Sequence, residues 1–397
     1  MPASVSHGKR PPWASIAIES DIAALEAPWR ALEATALVTP YQAYGWVRPF
    51  VETVGAAEGL AFRYALLRDA AGEVLALLPL VIARRYGARF AAFIGDKHAN
   101  YHMGIYAPAF AAGLDADLAG RMLREIGSAL GGLDAFLFLN QPRSWQGIAN
   151  PATLLGAVPS PSLAYKLTLV SGDSEAAMKR AMSSHARKKL KNKHNRFRDF
   201  GPSALTHATT PAEIERVLDA FLAQKAERFR AMGVEDPFAS PSIRAFLTNA
   251  ATASGPKPPA IEIYALDLAG TCVATFIVAV QGGRISGMAT SFDLASPTAK
   301  TSPGEILLSE LVRRKSSEGF TVFDLGVGEA RYKTTFCDDR DELVDTFLPL
   351  TLKGQFLTAA ARARGALKRR VKNSPMALKL ARAIAGRMPG KAAAETE

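Results

Sequence analysis

Apolar positions along this chain switch repeatedly between a period of two and a period near 3.6, and the switches come in the same order twice. Alternation and short apolar runs predict strands over residues 62–69, 74–85, 89–95 and 134–141 in the first half. The same reading predicts strands over 163–170, 203–209, 261–268, 271–280, 284–293 and 321–326 in the second. Turns at Ala71-Gly72, Ala269-Gly270 and Gly282-Gly283 separate paired strands. Helical spacing covers 22–36, 116–132, 174–201, 211–233 and 303–319. Asp21 is a candidate N-cap for the first of these, although Pro28 interrupts its middle. Pro211 and Pro303 suit first turns, while Gly131-Gly132, Gly201 and Gly319 mark ends. Strands and helices in this order imply an α+β fold with mixed sheets and helices on their faces, built twice. The Pro-rich stretch from Pro151 to Pro161 is the expected boundary, giving domains over 15–155 and 162–352 followed by a basic helical tail over 353–397.

Composition alters this picture little. A length of 397 residues, 48% apolar and 21% charged, is ordinary for two globular domains. Apolar runs fall short of a membrane span, and the N-terminal residues contain no apolar core of a secretory signal. Two cysteines, Cys272 and Cys337, have no metal-ligand spacing, so a reducing cytoplasm and no metal are expected. Charge is more informative. The net charge is +11, yet residues 179–198 carry nine Lys or Arg and no acid, and residues 353–391 carry eleven and no acid. These two segments exceed the net charge on their own, so the rest of the chain is mildly acidic and each segment needs its own explanation.

Residues 284–336 carry the chemistry: strand, loop, helix, strand, then a Gly-rich turn with Glu329, Arg331, Tyr332 and Lys333. At Thr301-Ser302-Pro303-Gly304 a helix begins, and free amides at the positive end of a helix dipole attract phosphate. Ser302 can donate to that anion or simply cap the helix, and Gly304 permits close approach. Other chemistries leave no trace: there is no Gly-x-Ser-x-Gly, Walker A or His-Glu-x-x-His string, and Gly326-x-Gly328 fails as a dinucleotide loop at Arg331.

The string YALDLAGTCVATFIVAVQGGRISGMATSFD, then SPGEILLSELV, then GFTVFDLGVGEARYK, resembles the GNAT-like domain of the CelD family, associated with bacterial cellulose and exopolysaccharide production. The matching positions are Phe292-Asp293, Ser302-Pro303-Gly304, and Phe323, Asp324, Gly328, Glu329, Tyr332 and Lys333. Ser183-Ser184 with Arg187-Lys188, and Gln42 with Trp46, match earlier elements, so the resemblance spans roughly residues 15–350. It implies two GNAT-like domains, as in FemAB-type transferases, and an acyl-CoA donor. Pantetheine would lie along Ala289-Thr290-Ser291, and pyrophosphate at Ser302, Gly304 and Glu305. The usual Gln/Arg-x-x-Gly-x-Gly/Ala signature is absent before this helix.

In such chemistry a carboxylate deprotonates the acceptor and a strand amide stabilises the oxyanion. Glu329 and Asp293 are the candidate bases, Asp293 being equally suited to cap its loop. Tyr332 is a candidate acid for the leaving thiolate or a packing residue. Arg331 and Lys333 would hold an anionic substrate group or pair locally with Glu329, and Gln42 and Trp46 complete the expected substrate contacts. The implied reaction moves an acyl group, in the first instance acetyl, onto an amine or hydroxyl of a sugar, envelope or exopolysaccharide precursor.

Two alternatives stay open. One is an aminoacyl-tRNA-dependent transferase of the FemAB type, with Lys179 to Arg198 contacting tRNA phosphates; other nucleic-acid binding lacks any base-reading module. The other is a non-catalytic scaffold of a polysaccharide synthase. The basic helix also suits a cleft wall or a solvated face. Asp96, His98 and His102 form the remaining polar cluster, placed to line a cleft between domains. The tail has spaced apolar residues among its cations, split at Ser374-Pro375, and suits a synthase partner or an anionic membrane surface, which would make a cytoplasmic protein peripheral to the inner membrane.

Overall fold

The computed structural model describes residues 10–253 and 258–374. The first half holds β1 (Ser15–Glu19), α1 (Glu26–Glu33), α2 (Tyr44–Phe50), β2 (Ala61–Arg68), β3 (Val74–Arg85), β4 (Ala88–Phe93), β5 (Ile105–Tyr106), α3 (Pro108–Gly113), α4 (Ala116–Ala129) and β6 (Ala135–Pro142). A small hairpin, β7 (Ser144–Trp145) and β8 (Ile148–Ala149), leads into the second half. There follow β9 (Val158–Thr168), α5 (Ser174–Ala181), α6 (Ser184–Arg198), β10 (Ser203–Ala208), α7 (Pro211–Met232), α8 (Pro241–Ala251), β11 (Ile261–Leu268), β12 (Thr271–Gln281) and β13 (Arg284–Phe292). The last elements are α9 (Pro303–Ser317), β14 (Val322–Val327), α10 (Arg331–Phe336), β15 (Asp339–Pro349) and α11 (Leu352–Asn373).

All the strands except β7 and β8 belong to one thirteen-stranded sheet, ordered β1-β2-β3-β4-β6-β15-β9-β14-β13-β12-β11-β10, with β5 beside β3. Each half therefore repeats one plan: four antiparallel strands, then a fifth laid parallel to the fourth after a helical crossover. In the first half β4 and β6 pair in parallel across α4; in the second β13 and β14 pair in parallel across α9. Strand β15 comes last in sequence but lies between β6 and β9, antiparallel to both. One apolar core lies mainly under the first half and α7–α8, and a second is built around α9, β12 and β14.

Several local expectations change for identifiable reasons. The basic segment is two helices, because Met182 turns extended and the Ser183 hydroxyl caps α6 by accepting from the Ala186 amide. Pro28 does not interrupt α1, since the α-helix begins at Glu26 and the proline falls in its first turn. Pro159 and Pro161 are not linker residues: both lie in β9, and their carbonyls accept from Arg369 and Lys372 of α11. The tail over 353–373 is one helix docked on β15, its Leu357 buried and Arg362 donating to the Phe347 carbonyl. Helix α11 ends at Asn373, just before the expected break at Ser374-Pro375; Pro375 and everything after it lie outside the described residues. No helix among the described residues is long and apolar enough to cross a membrane.

Candidate functional site

Strands β13 and β14 pair only from Arg284–Val322 to Ser286–Asp324 and then separate. Two backbone features produce the parting. Register against β12 skips Met288, so β13 bulges there, and Gly326 in β14 adopts φ +78°. Past the fork the strands face each other with small residues, Gly287 and Ala289 against Gly326 and Val327, leaving a cavity of about 480 Å³. The corresponding fork in the first half is filled. There β4 and β6 pair only at Phe90–Ala135 and Ala91–Phe136, and beyond them the Phe93 and Phe138 rings stack at 4.2 Å. One plan thus gives an open crevice in one half and a packed one in the other.

Asn100, reaching across from the loop after β4, is set in the crotch of the open fork. Its Nδ2 donates to the Gly287 carbonyl at 2.8 Å and to the Tyr41 hydroxyl, while its Oδ1 accepts from the Val327 amide at 3.1 Å. A Cβ on Gly326 would meet the Asn100 amide at 2.6 Å, so this glycine serves both its backbone angle and the approach of that side chain. Below the fork, Tyr41 and Ser286 hydroxyls lie 2.8 Å apart, and Ser286 donates to Asp324 at 3.0 Å. Asp324 also accepts from the Gly326 amide and lies 3.5 Å from Arg284, whose guanidinium sits over the Trp145 ring. Complete burial nevertheless holds the Asp324 carboxyl above its usual range, with Arg284 working against that shift.

The cavity brings together residues far apart in sequence: Asn100 with its neighbours Asp96 to Ala99, then Lys225, Arg228 and Phe229 of α7, Phe238, the β13 edge, and Glu329, Ala330, Tyr332 and Lys333. Its cations are Lys97, Lys225, Arg228 and Lys333; its carboxylates are Asp96 and Glu329. That excess of positive charge suits a ligand bearing an anionic group. Lys225 lies 5.1 Å from the Phe238 ring centre and 5.5 Å from that of Phe229. Lys333 is buried and donates to the Val327 carbonyl at 2.8 Å, which braces the turn after β14. Burial pushes the His98 imidazole down to about 4, with Lys97 adding to the effect.

The residues expected from sequence divide sharply. Glu329, Tyr332, Lys333, Ala289 and Thr290 line the cavity, Glu329 exposed and Tyr332 half-buried at the start of α10. Ser291 points the other way: it is buried between Thr275 and Gln224, bonding to both. Asp293 accepts from the Ala295 and Ser296 amides and fixes the loop, its alternative reading. Arg331 is exposed and outside the cavity wall. Gln42 and Trp46 are corrected outright as substrate contacts, being 1% and 0% exposed. Gln42 bonds to Thr39 and the Tyr101 carbonyl, and Trp46 packs on Phe50 and Phe246.

At the start of α9, Ser302 has φ +60° and its side chain makes no cap, while a side chain on Gly304 would meet open space. Glu305 in the first turn is paired with Lys193 of α6 at 2.5 Å, and His194 of α6 bonds Ser309 at 2.8 Å. The basic helix is therefore a wall against the helix proposed to receive phosphate, and Leu190 and Phe197 anchor it. His102, from the other polar cluster, is buried with its Nδ1 at 3.1 Å from the Leu139 carbonyl, away from the cavity. Among the described residues no group of His, Cys, Asp or Glu is arranged to hold a metal ion.

Comparison with known proteins bears on the fold. No curated protein sequence matches the chain. Among solved structures, the fold is similar to FemX, with TM-score 0.55 at 9% identity over 87% of this chain and 99% of that one. It is similar to a protein of unknown function from Bacteroides thetaiotaomicron, with TM-score 0.55 at 12% identity over 85% of this chain and all of that one. A third similarity is to the C-terminal domain of a protein described as a lysylphosphatidylglycerol synthetase from Agrobacterium fabrum, with TM-score 0.52 at 10% identity over 86% and 96%. Such low identities establish the fold alone. Residues 184–334, which hold the open fork, α9 and the Glu329 turn, match the model of the acetyltransferase (GNAT) domain.

Proposed function

We propose that the protein transfers an acyl group from a CoA thioester to an amine or hydroxyl of an acceptor bearing an anionic group, in the fork between β13 and β14. The observation that carries this reading is the contrast between the two forks: one is closed by stacked phenylalanine rings, while the other parts between Gly287, Ala289 and Gly326 onto a cavity whose wall includes Glu329. Backbone freed by the bulge at Met288 supplies the amide that would receive the thioester oxygen as charge develops. Glu329, exposed at the cavity mouth, takes the acceptor proton directly or through water. The acceptor nitrogen or oxygen then bonds to the acyl carbon, the C–S bond breaks, and Tyr332 would protonate the departing thiolate. Lys97, Lys225 and Arg228, on the cavity wall, would attract the anionic group of the acceptor. A sugar, envelope or exopolysaccharide precursor is the acceptor class that the CelD resemblance suggests.

Pyrophosphate would sit at Ser302 and Gly304, where the helix start is open. Acetyl-CoA should raise the melting temperature of the protein, and Ser302→Glu should abolish that rise by placing a carboxylate at the phosphate position. Glu329→Gln should keep the rise but lower turnover by about 10²–10⁴-fold. An unchanged response to acetyl-CoA in Ser302→Glu would rule out the donor position.

A second reading draws on Glu305 and Lys193, whose ion pair sets a carboxylate in the first turn of α9 where the GNAT pyrophosphate signature is missing. It takes the donor to be aminoacyl-tRNA, held along Lys179 to Arg198 of α5 and α6. Salt-sensitive retention on tRNA, with no response to acetyl-CoA, would favour it.

A further inference from the structure

Helix α11 leaves an apolar stripe uncovered on its outer side. Leu352, Phe356 and Leu367 are 73%, 80% and 63% exposed, and Ala359, Ala360 and Ala363 fall on the same face at helical spacing. The opposite face is docked on β15 and β9, with Leu357 buried. Lys353 and Arg364 border the stripe on one side and Arg370 falls within it near its C-terminal end, all three exposed, while Arg362 and Arg369 turn inward to the Phe347 and Pro159 carbonyls; the helix contains no Asp or Glu.

The turn between β3 and β4 adds a second feature beside the first. Tyr86 stands at its tip, 87% exposed, with Arg84 and Arg85 before it. Asp134 joins the two features. It accepts from the Arg89 amide of the β4 arm at 2.8 Å and from the Thr351 hydroxyl at the cap of α11, and the charges of Lys353 and Arg84 both lower its pKa. An exposed tyrosine among arginines thus sits at the N-terminal end of an exposed apolar stripe among lysines and arginines.

We infer that α11 and the Tyr86 turn form one docking face for an anionic membrane surface, the aliphatic and aromatic side chains entering the headgroup region and the cations meeting lipid phosphates. An apolar face bordered by cations is the pattern of a helix lying in the interface plane, and tyrosine favours the headgroup level. Charge argues against a second copy as the occupant, since two such faces would oppose cation to cation. Docking there would hold the transferase against lipid-linked or membrane-adjacent molecules, although the inference stands on the surface alone and does not need the proposed reaction.

The test uses the full chain and sedimentation with vesicles of phosphatidylcholine alone and of an equal mixture with phosphatidylglycerol. The wild type should bind the mixed vesicles and not the neutral ones, with loss of binding as salt is raised. The double variant Leu352→Ser with Phe356→Ser should bind at least about tenfold more weakly, and Tyr86→Asn should weaken binding severalfold. All three side chains are exposed, so the melting temperatures of the variants should match the wild type. Full binding by the double variant would assign the lipid contact to residues 375–397 and overturn the inference. So would equal binding to neutral vesicles, or a doubled mass by light scattering that the same substitutions reverse.

Discussion

Replacing Asn100 with alanine removes the side chain that holds the open fork in shape, and the structure sets the size of the effect. Four hydrogen bonds go: those to the Gly287 carbonyl, the Tyr41 hydroxyl and the Val327 amide, and a longer one of 3.5 Å to the Ser286 hydroxyl. Tyr41 keeps Ser286 as a partner, so its loss is small. Gly287 and Val327 lose a partner at the wall of a cavity that water can enter, which places their cost at the lower end of about 1–3 kcal/mol each. The sum is a destabilisation of about 2–4 kcal/mol, readable as a lower urea midpoint with unchanged slope. Asn100→Asp should cost more than alanine, because a carboxylate oxygen would then oppose the Gly287 carbonyl. The affinity for acetyl-CoA should fall together with stability, since the amides beside Gly287 lose their fixed position. A loss under about 0.5 kcal/mol in the alanine variant, with donor affinity intact, would show that the fork holds its shape without this side chain and would refute the reasoning.

Two further outcomes follow from the same region. Gly326→Ala pairs a left-handed backbone angle with a Cβ 2.6 Å from the Asn100 amide; it should destabilise by at least as much as Asn100→Ala, and the double variant should cost less than the sum, measured by denaturant unfolding in a double-mutant cycle. His98 titrates near 4 when folded against about 6.5 when unfolded, so its contribution is complete above pH 6.5 and is lost as the pH falls toward 4. Between pH 7 and 5 the wild type should therefore lose about 2 kcal/mol more stability than His98→Gln, and parallel curves would remove His98 as the source.

The strands and helices that were legible in the sequence are those whose neighbours are local. The hairpin β11–β12, the strand β13 and the helix α9 carry their periodicity and their turn glycines within about sixty residues, and the GNAT-like string over 284–336 gave the fork, Glu329 and Tyr332 their place. What stayed hidden depends on contacts between halves. Asn100 lies inside the GDKHANYHMG stretch, where Asp96, His98 and His102 attract attention because they titrate, yet an uncharged amide makes the decisive bonds to two strands nearly two hundred residues later or more. Gln42 and Trp46 look like ligand-binding types, but aromatic and amide groups serve equally as satisfied core, and only their neighbours Phe246 and Tyr101 decide it. Strand β15 has charged residues over its first four positions, Asp339 to Glu342, which masks the apolar run that follows. The Pro159 and Pro161 stretch reads as a break because the strand that accepts it lies at the far end of the chain.

The placement of β15 has a consequence for biosynthesis. Strand β6 gains its neighbour only when residues 339–349 have been made, so during translation the first half carries an unpaired sheet edge for the time needed to add some two hundred more residues. Over that interval the edge is a template for any extended segment, including the same strand of a neighbouring nascent chain. The closing strand then ties both halves into one sheet, so loss of either half on heating exposes the other, and the melting of the finished protein should appear as a single event.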